Sequence, residues 1–584
     1  MTGLETASRI ERKWENMRGL VGLAIGVSLV TSAGAQVVAP AKSGSCKPPE
    51  VIKVQTWQVD PLVKVFPDSR PDVQPALTCE VAKGETATWQ IALRCDLPAE
   101  ALDADVSAFA LRGGDAHLAG ARVRFVGYVP VDRGLPAPPA DRLRVPPCLY
   151  PDPLLEAAPD IEAGTTYAVW ISLPVSMDAK AGEYVASLTL SGQCNGRAVS
   201  GKHELRLRVY DVAVGKSRLW VTNWFWNNSR HMQISAEVDT PQYWALLARY
   251  ALNMAEHRQN VAIVPVLALT DFRPKEGGGW SMDFSRFNRW VHTFVRAGVI
   301  GRIEGGHIGG REGDWESQFL AQVPTVVDGA VRMANLPADS PEADAFYAQF
   351  FPALLENLQA NGWLDIYMQH LADEPIASNI GSYRALAALV RKYAPGVPIV
   401  EACHTKDLVG SVDVWVPQLN YLHQDFEHYQ QRQAEGEEVW HYTCIYPMGE
   451  YANRFIEHPL IKTRLLHWIN YRYGITGYLH WGYNHWGEAN PYEHLTGPFD
   501  SHGYLPAGDA WIVYPGKDGP VDSIRWETMR DGIADYELLC MLAERDPEAA
   551  NRLAGRHILA FDRYEIDVTV FRQTRRELLE RLSR

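Results

Sequence analysis

Two adjacent carboxylates, Asp373 and Glu374, have the plainest chemical potential in this chain. They stand in His370-Leu371-Ala372-Asp373-Glu374-Pro375. An apolar, strand-like run, Leu364-Asp365-Ile366-Tyr367-Met368-Gln369, leads into them, and a helix-like segment follows. Burying an unpaired charge is costly, so a strand ending in two acids usually has a use for both. Pro375 stops the strand and fixes the turn after the pair. The plain structural alternative is an acidic helix cap beside a solvated loop charge. What separates the two readings is the company the pair keeps.

From residue 219 onward, strand-like and helix-like segments alternate. Strands are expected at 219–226, 260–266, 299–307, 366–371, 398–403, 412–417, 438–443 and 476–481, and helices at 242–258, 284–297, 343–361, 380–393 and 461–473. That count and length fit a (β/α)8 barrel. The link between Cys403 and Val412 is too short for a helix, so one unit would be degenerate. An open doubly wound sheet is the rival, but no glycine-rich phosphate loop follows the first strand. Barrel chemistry collects at the C-terminal strand ends. Those ends carry Trp224, Trp226, His307, His404, Gln418, Asn420, Tyr421, Tyr442 and Trp481 around the acid pair. Aromatic rings, amides and imidazoles around two acids suit a neutral polyhydroxylated ligand: rings stack, amides and His bond hydroxyls, and acids do the chemistry. Taken singly, a Trp or His at a strand end is more often packing than contact, so the inference rests on their convergence.

The rest of the chain frames this barrel. Residues 36–215 read as short strands between Pro, Gly and Asp turns, among them Thr86-Ala87-Thr88-Trp89-Gln90-Ile91 and Leu205-Arg206-Leu207-Arg208-Val209-Tyr210, which predicts an antiparallel β-sandwich. Residues 216–505 form the predicted barrel, and 506–584 a mostly helical extension with an amphipathic stretch at 525–545. The fold class is therefore multidomain: N-terminal β-sandwich, TIM-like barrel, C-terminal extension. At the start, Arg12, Lys13 and Arg18 precede a short apolar run ending near Val30, and Ala33-Gly34-Ala35 has the small-residue pattern of a cleavage site. Residues 1–35 thus read as a signal peptide, which predicts a periplasmic or secreted protein with no stable membrane insertion after cleavage. Export would permit disulfides among the eight cysteines, with no pairing legible. The net charge of -14 argues against a nucleic-acid partner.

Rival chemistries find little support. His480, His485 and His494 cluster with Glu488 and Glu493, but in no familiar ligand spacing, and there is no HExxH or GxSxG; neither a metal nor another cofactor is expected. Ordinary retaining glycosidases place two carboxyls ~5 Å apart across the scissile bond, usually from different strands. Adjacent residues leaving one strand point in different directions and cannot easily do so. Substrate assistance suits such a pair better. The sugar's own 2-acetamido oxygen attacks the anomeric carbon, Glu374 protonates the leaving oxygen, and Asp373 orients the acetamido nitrogen. As the acid, Glu374 should have a pKa above that of a free Glu.

The acid-pair segment and the later blocks Val414-Trp415-Val416-Pro417-Gln418-Leu419, Glu438-Val439-Trp440-His441-Tyr442, Arg464-Leu465-Leu466-His467-Trp468, Gly477-Tyr478-Leu479-His480-Trp481 and Arg530-Asp531-Gly532-Ile533-Ala534-Asp535-Tyr536-Glu537 resemble glycoside hydrolase family 123 over residues 220–540. The resemblance implies an exo-acting β-N-acetylgalactosaminidase retaining configuration, acting on GalNAc-containing glycans or glycoconjugates. It implies Asp373 as acetamido-orienting residue and Glu374 as acid/base, and it adds His370 and Trp440 to Tyr421, Tyr442 and Trp481 as pocket residues. A β-GlcNAc glycosidase of the same fold, and a non-catalytic carbohydrate-binding protein, are the alternatives.

Overall fold

The eight strands expected between residues 219 and 481 all form, and all run parallel. They are β1 (Trp220–Asn223), β2 (Val261–Val264), β3 (Arg302–Gly305), β4 (Tyr367–His370), β5 (Ile399–Cys403), β6 (Val414–Pro417), β7 (Glu438–Tyr442) and β8 (Gly477–His480). The computed structural model describes residues 52–71, 77–194, 197–226, 239–487, 490–495 and 504–584. The signal-peptide reading of 1–35 falls outside these residues, as do Cys46 and Glu488. β1 pairs with β8, and the ladder continues β7, β6, β5, β4, β3 to β2. The remaining seam, between β2 and β1, is closed by one backbone bond, Asn260 N–H to Val221 O (3.3 Å), and by side chains. Asn260 Oδ1 accepts from the Val221 N–H (2.8 Å), its Nδ2 donates to Leu219 O (2.9 Å), and Gln259 Nε2 donates to Asn223 O (3.2 Å). The barrel is therefore nearly, not fully, closed by its ladder.

Helices cover most crossovers, at Pro241–Glu256, Ser285–Ala297, Pro341–Ala360, Ile380–Tyr393 and Leu460–Tyr473. Thr240 and Ser340 cap two of them, with a Pro in the first turn, where its missing N–H costs nothing. The β5–β6 link is only turns, and two short helices, Leu419–Gln424 and Phe426–Ala434, fill the β6–β7 link. Three elements differ from expectation. The run entering the acid pair is not strand throughout: Gly362 leaves the preceding helix at φ +72°, Leu364–Ile366 makes a 3-10 turn, and only then does the backbone straighten. The third strand ends at Gly305, short of His307. Between β3 and the helix Pro341–Ala360 stands an unanticipated three-stranded antiparallel sheet, Gly309–Arg311, Phe319–Val327 and Ala330–Leu336.

Ahead of the barrel lie a five-stranded antiparallel sheet and a seven-stranded one. The second is mixed, not antiparallel as expected, because Ile52–Lys53 and Thr78–Lys83 both run parallel to the long strand Arg197–Ala213. Trp89, Ile91, Val169 and Ile171 of one sheet and Leu188, Leu205 and Leu207 of the other share one core. The outer face of the five-stranded sheet, through Ala92, Val126 and Trp170, belongs instead to the core that runs through the barrel. Helices Ile524–Arg545, Pro547–His557 and Val568–Leu582 follow the barrel. The seven described cysteines are all unpaired, and no described helix is long and apolar enough to cross a membrane.

Candidate active site

Asp373 and Glu374 follow β4 at the C-terminal mouth of the barrel, and Glu374 adopts φ +48°. A non-glycine residue in the left-handed region is strained, and such strain persists only where surroundings impose it. Arg311, from the inserted sheet, is what imposes it. Its guanidinium donates to both Asp373 O (2.6 Å) and Glu374 O (2.7 Å) while lying between the rings of Trp315 (4.0 Å) and Phe319 (4.4 Å).

The turn aims the Glu374 carboxyl at β5 and β7. Glu374 Oε1 accepts a short hydrogen bond from Tyr442 Oη and lies 3.2 Å from His404 Nε2. His404 Nε2 is itself 2.7 Å from Tyr442 Oη, and Gln418 Nε2 donates to the same hydroxyl at 3.1 Å. The Tyr421 ring packs 5.0 Å from His404. Asn420, one residue earlier, has a buried Oδ1 with no partner.

Behind the pair, His370 is wholly buried between two wholly buried carboxylates. Its Nδ1 is 2.7 Å from Glu304 and its Nε2 2.8 Å from Glu401. Glu401 also accepts from the Ala372 N–H (3.2 Å), tying this network to the turn. Burial opposes the imidazolium, but Glu401 and Glu304 outweigh it and raise the pKa to about 10. Trp224 donates its indole N–H to Glu304 (3.0 Å) and packs edge-on against His307 and His370. Burial and the neighbouring His370 charge hold His307 well below its usual pKa, so it is neutral.

The electrostatics of the pair reverse the sequence expectation. Burial and the adjacent Glu374 push Asp373 up to about 7. Burial also pushes Glu374 upward, but His404, Tyr442 and Arg311 together outweigh it and leave its pKa below a free Glu's, not above. Two adjacent buried carboxyls share one proton around neutrality, and Asp373 is the one that holds it.

The expected pocket residues fall into three groups. Tyr442 and Tyr421, with Asn420 beside them, gather on the Glu374 side. Trp226 and Trp481 form the opposite rim: the Trp226 indole N–H donates to Trp481 O (3.0 Å), and both rings flank His485. Trp224, His307 and His370 pack behind the acids, and Trp440 lies deeper still. Trp440 is wholly buried, bonded to Glu438 (2.8 Å) and seated where Gly477 leaves no room for a side chain. Sequence reading missed Arg311, Glu304, Glu401 and Asp509. Asp509, buried beyond β8, accepts from the Trp481 indole (3.2 Å), and burial raises its pKa to about 7.

Among the described residues, one cluster has metal-like spacing, His257, Asp522 and Glu527. Arg124 already occupies it, donating to both carboxylates. It lies under the sheet–helix interface, outside the acid pair's surroundings.

Comparison with known proteins agrees with this geometry. Residues 224–542 match the family described as glycoside hydrolase 123, catalytic domain. No curated protein matches. Among solved structures, a family 123 glycoside hydrolase from Clostridium perfringens, whose structural analysis details glycolipid glycan hydrolysis, superposes with a TM-score of 0.68 at 16% identity, covering 91% of this chain and 97% of that one. A second glycoside hydrolase (TM-score 0.31, 11% identity, covering 55% of this chain and 99% of that one) and the Parabacteroides merdae β-glucuronidase (0.30, 8%, covering 83% and 52%) resemble it far less. With an acid pair at a barrel mouth, the family match over more than half of the chain and the shared fold, this chain belongs to glycoside hydrolase family 123 and is a glycosidase acting on carbohydrate.

Proposed function

We propose that the enzyme is an exo-acting, retaining β-N-acetylgalactosaminidase that uses the substrate's 2-acetamido group as nucleophile. One observation carries this reading: among the described residues, Glu374 has no carboxylate partner free to attack from across the bond. Glu304 and Glu401 are wholly buried on His370, Asp509 is wholly buried on Trp481, and Asp373 is its chain neighbour. The nucleophile then has to come from the sugar. Binding brings the acetamido N–H to Asp373, which favours the Asp373 carboxylate and moves the shared proton to Glu374. The acetamido oxygen bonds to C1 as the C1–O bond breaks, and Glu374 gives its proton to the departing oxygen. Glu374 then takes a proton from water, which adds to C1 and reopens the oxazoline ring with the β configuration restored.

The Clostridium relative makes a glycolipid glycan the substrate class to test first. In the same reading, 36–215 is a β-sandwich domain, 216–505 the catalytic barrel, 506–584 a helical extension, and residues 1–35 direct export to the periplasm or medium.

Nitrophenyl β-GalNAc, β-GlcNAc, β-galactoside and β-glucoside, assayed with wild type, Glu374→Gln and Asp373→Asn, test the proposal. Expected is release from β-GalNAc alone, with kcat lowered about 10²–10⁴-fold in each variant. Turnover confined to sugars lacking the acetamido group would overturn substrate assistance, and a preference for β-GlcNAc would reassign the sugar.

A further inference from the structure

Of the tryptophans in the described residues, only Trp315 is exposed, at 44%. Its position is built. One side of its ring system stacks on Arg311, the residue that holds the acid-bearing turn. Asn379, just past that turn, donates to Trp315 O and Ser317 O, both at 3.2 Å. Gln318 Nε2 donates to Ser378 O (2.9 Å), and the Phe319 N–H to Ser382 Oγ (2.9 Å). Four donors, Arg311, Gln318, Phe319 and Asn379, therefore lock the segment carrying Trp315 to the turn carrying Asp373 and Glu374 and to the start of the helix after it. The indole is thus held with one face on Arg311 and the rest of its exposed surface open to a ligand.

The direction of the lock suggests the use. The Trp315 ring lies 6.4 Å from the ring of His404, the residue that touches the Glu374 carboxyl. An acid must stand beside the oxygen it protonates, so the leaving group departs past Glu374 and toward this ring.

We propose that Trp315 is the aglycone platform: a specificity-determining residue that stacks on the apolar face of the pyranose linked to the departing oxygen. It fits a glycan leaving group better than a small alcohol, because the C–H face of a hexose matches an indole in area and flatness. The proposal rests on the function assigned above, extending it from the sugar that is cleaved to the one that leaves.

Two substrates with the same non-reducing sugar separate the contributions: methyl β-GalNAc, with no ring to stack, and GalNAc-β-1,4-galactose. Wild type, Trp315→Ala and Trp315→Phe are compared on both. Expected is a loss in kcat/KM for Trp315→Ala that is about tenfold greater on the disaccharide than on the methyl glycoside, the excess mostly in KM, with partial retention in Trp315→Phe. Equal losses on both substrates, or none on either, would overturn the platform while leaving the function standing. If wild type cleaves neither while cleaving a different nitrophenyl sugar, the function falls and takes the platform with it.

Discussion

At the scale of single residues, the site works through one proton shared by two carboxyls. Asp373 sits near 7 in the free enzyme and Glu374 below its usual range. The productive dyad carries one proton, so kcat/KM should fall as pH rises through about 7, when that proton leaves, and fall again in acid as a second one binds. Tyr442→Phe provides the matching test. Removing a donor to the Glu374 carboxylate disfavours the anion, so both limbs should move to higher pH, by about one unit. An unmoved profile would mean that the Tyr442 bond does not set the charge of the pair. None of this could be read from the sequence. Asp-Glu-Pro at the end of an apolar run announces two acids, but their relative pKa depends on Arg311, His404 and Tyr442, each from a different element.

At the scale of elements, the inserted sheet acts as a clamp on the catalytic turn. Its planar guanidinium bridges two successive carbonyls and so holds Glu374 at φ +48°. Lysine keeps the charge but not the fork. Arg311→Lys should lower kcat about tenfold or more, with the melting temperature changed by only a few degrees, since the barrel core is untouched. Parallel losses of activity and stability would instead make Arg311 a folding residue. The eight strands were legible because short apolar runs alternate with helical periodicity, and Gly298 and Gly474 end their helices in the left-handed conformation typical of such stops. The insert was not. Its strands pair only with one another, and its contact with the acids spans 62 residues of sequence, which no local pattern encodes.

At the scale of the molecule, one buried carboxylate joins parts distant in the chain. Asp535, in the long helix Ile524–Arg545, accepts from Arg464 of the barrel helix (2.7 and 3.1 Å), Arg575 of the last helix (2.8 Å) and Trp468 (3.0 Å). Arg575 continues to Glu85 of the N-terminal sheets. Burial opposes the Asp535 charge, but the two arginines outweigh it and hold its pKa far below the usual value. A depressed carboxylate contributes stability above its unfolded pKa of about 4 and loses it as pH falls further. Thermal stability should therefore drop in acid below that point. Asp535→Asn, which removes the charge shared by two buried guanidiniums and leaves them only Glu85 and Asp531 as partners, should cost about 3–5 kcal/mol at neutral pH and flatten the acid dependence. Urea unfolding at several pH values would check both, and an unchanged acid slope in the variant would remove Asp535 as its source.

The β1–β2 seam adds something of a different kind. In most closed barrels the last gap is zipped by main-chain groups, which every amino acid but proline supplies alike, so closure is insensitive to most point mutations. Here Asn260 and Gln259 do most of the zipping with side chains. Whether the ring shuts is thus a heritable trait at two codons, open to gradual tuning by selection or by an engineer who wants a barrel that breathes on one side only.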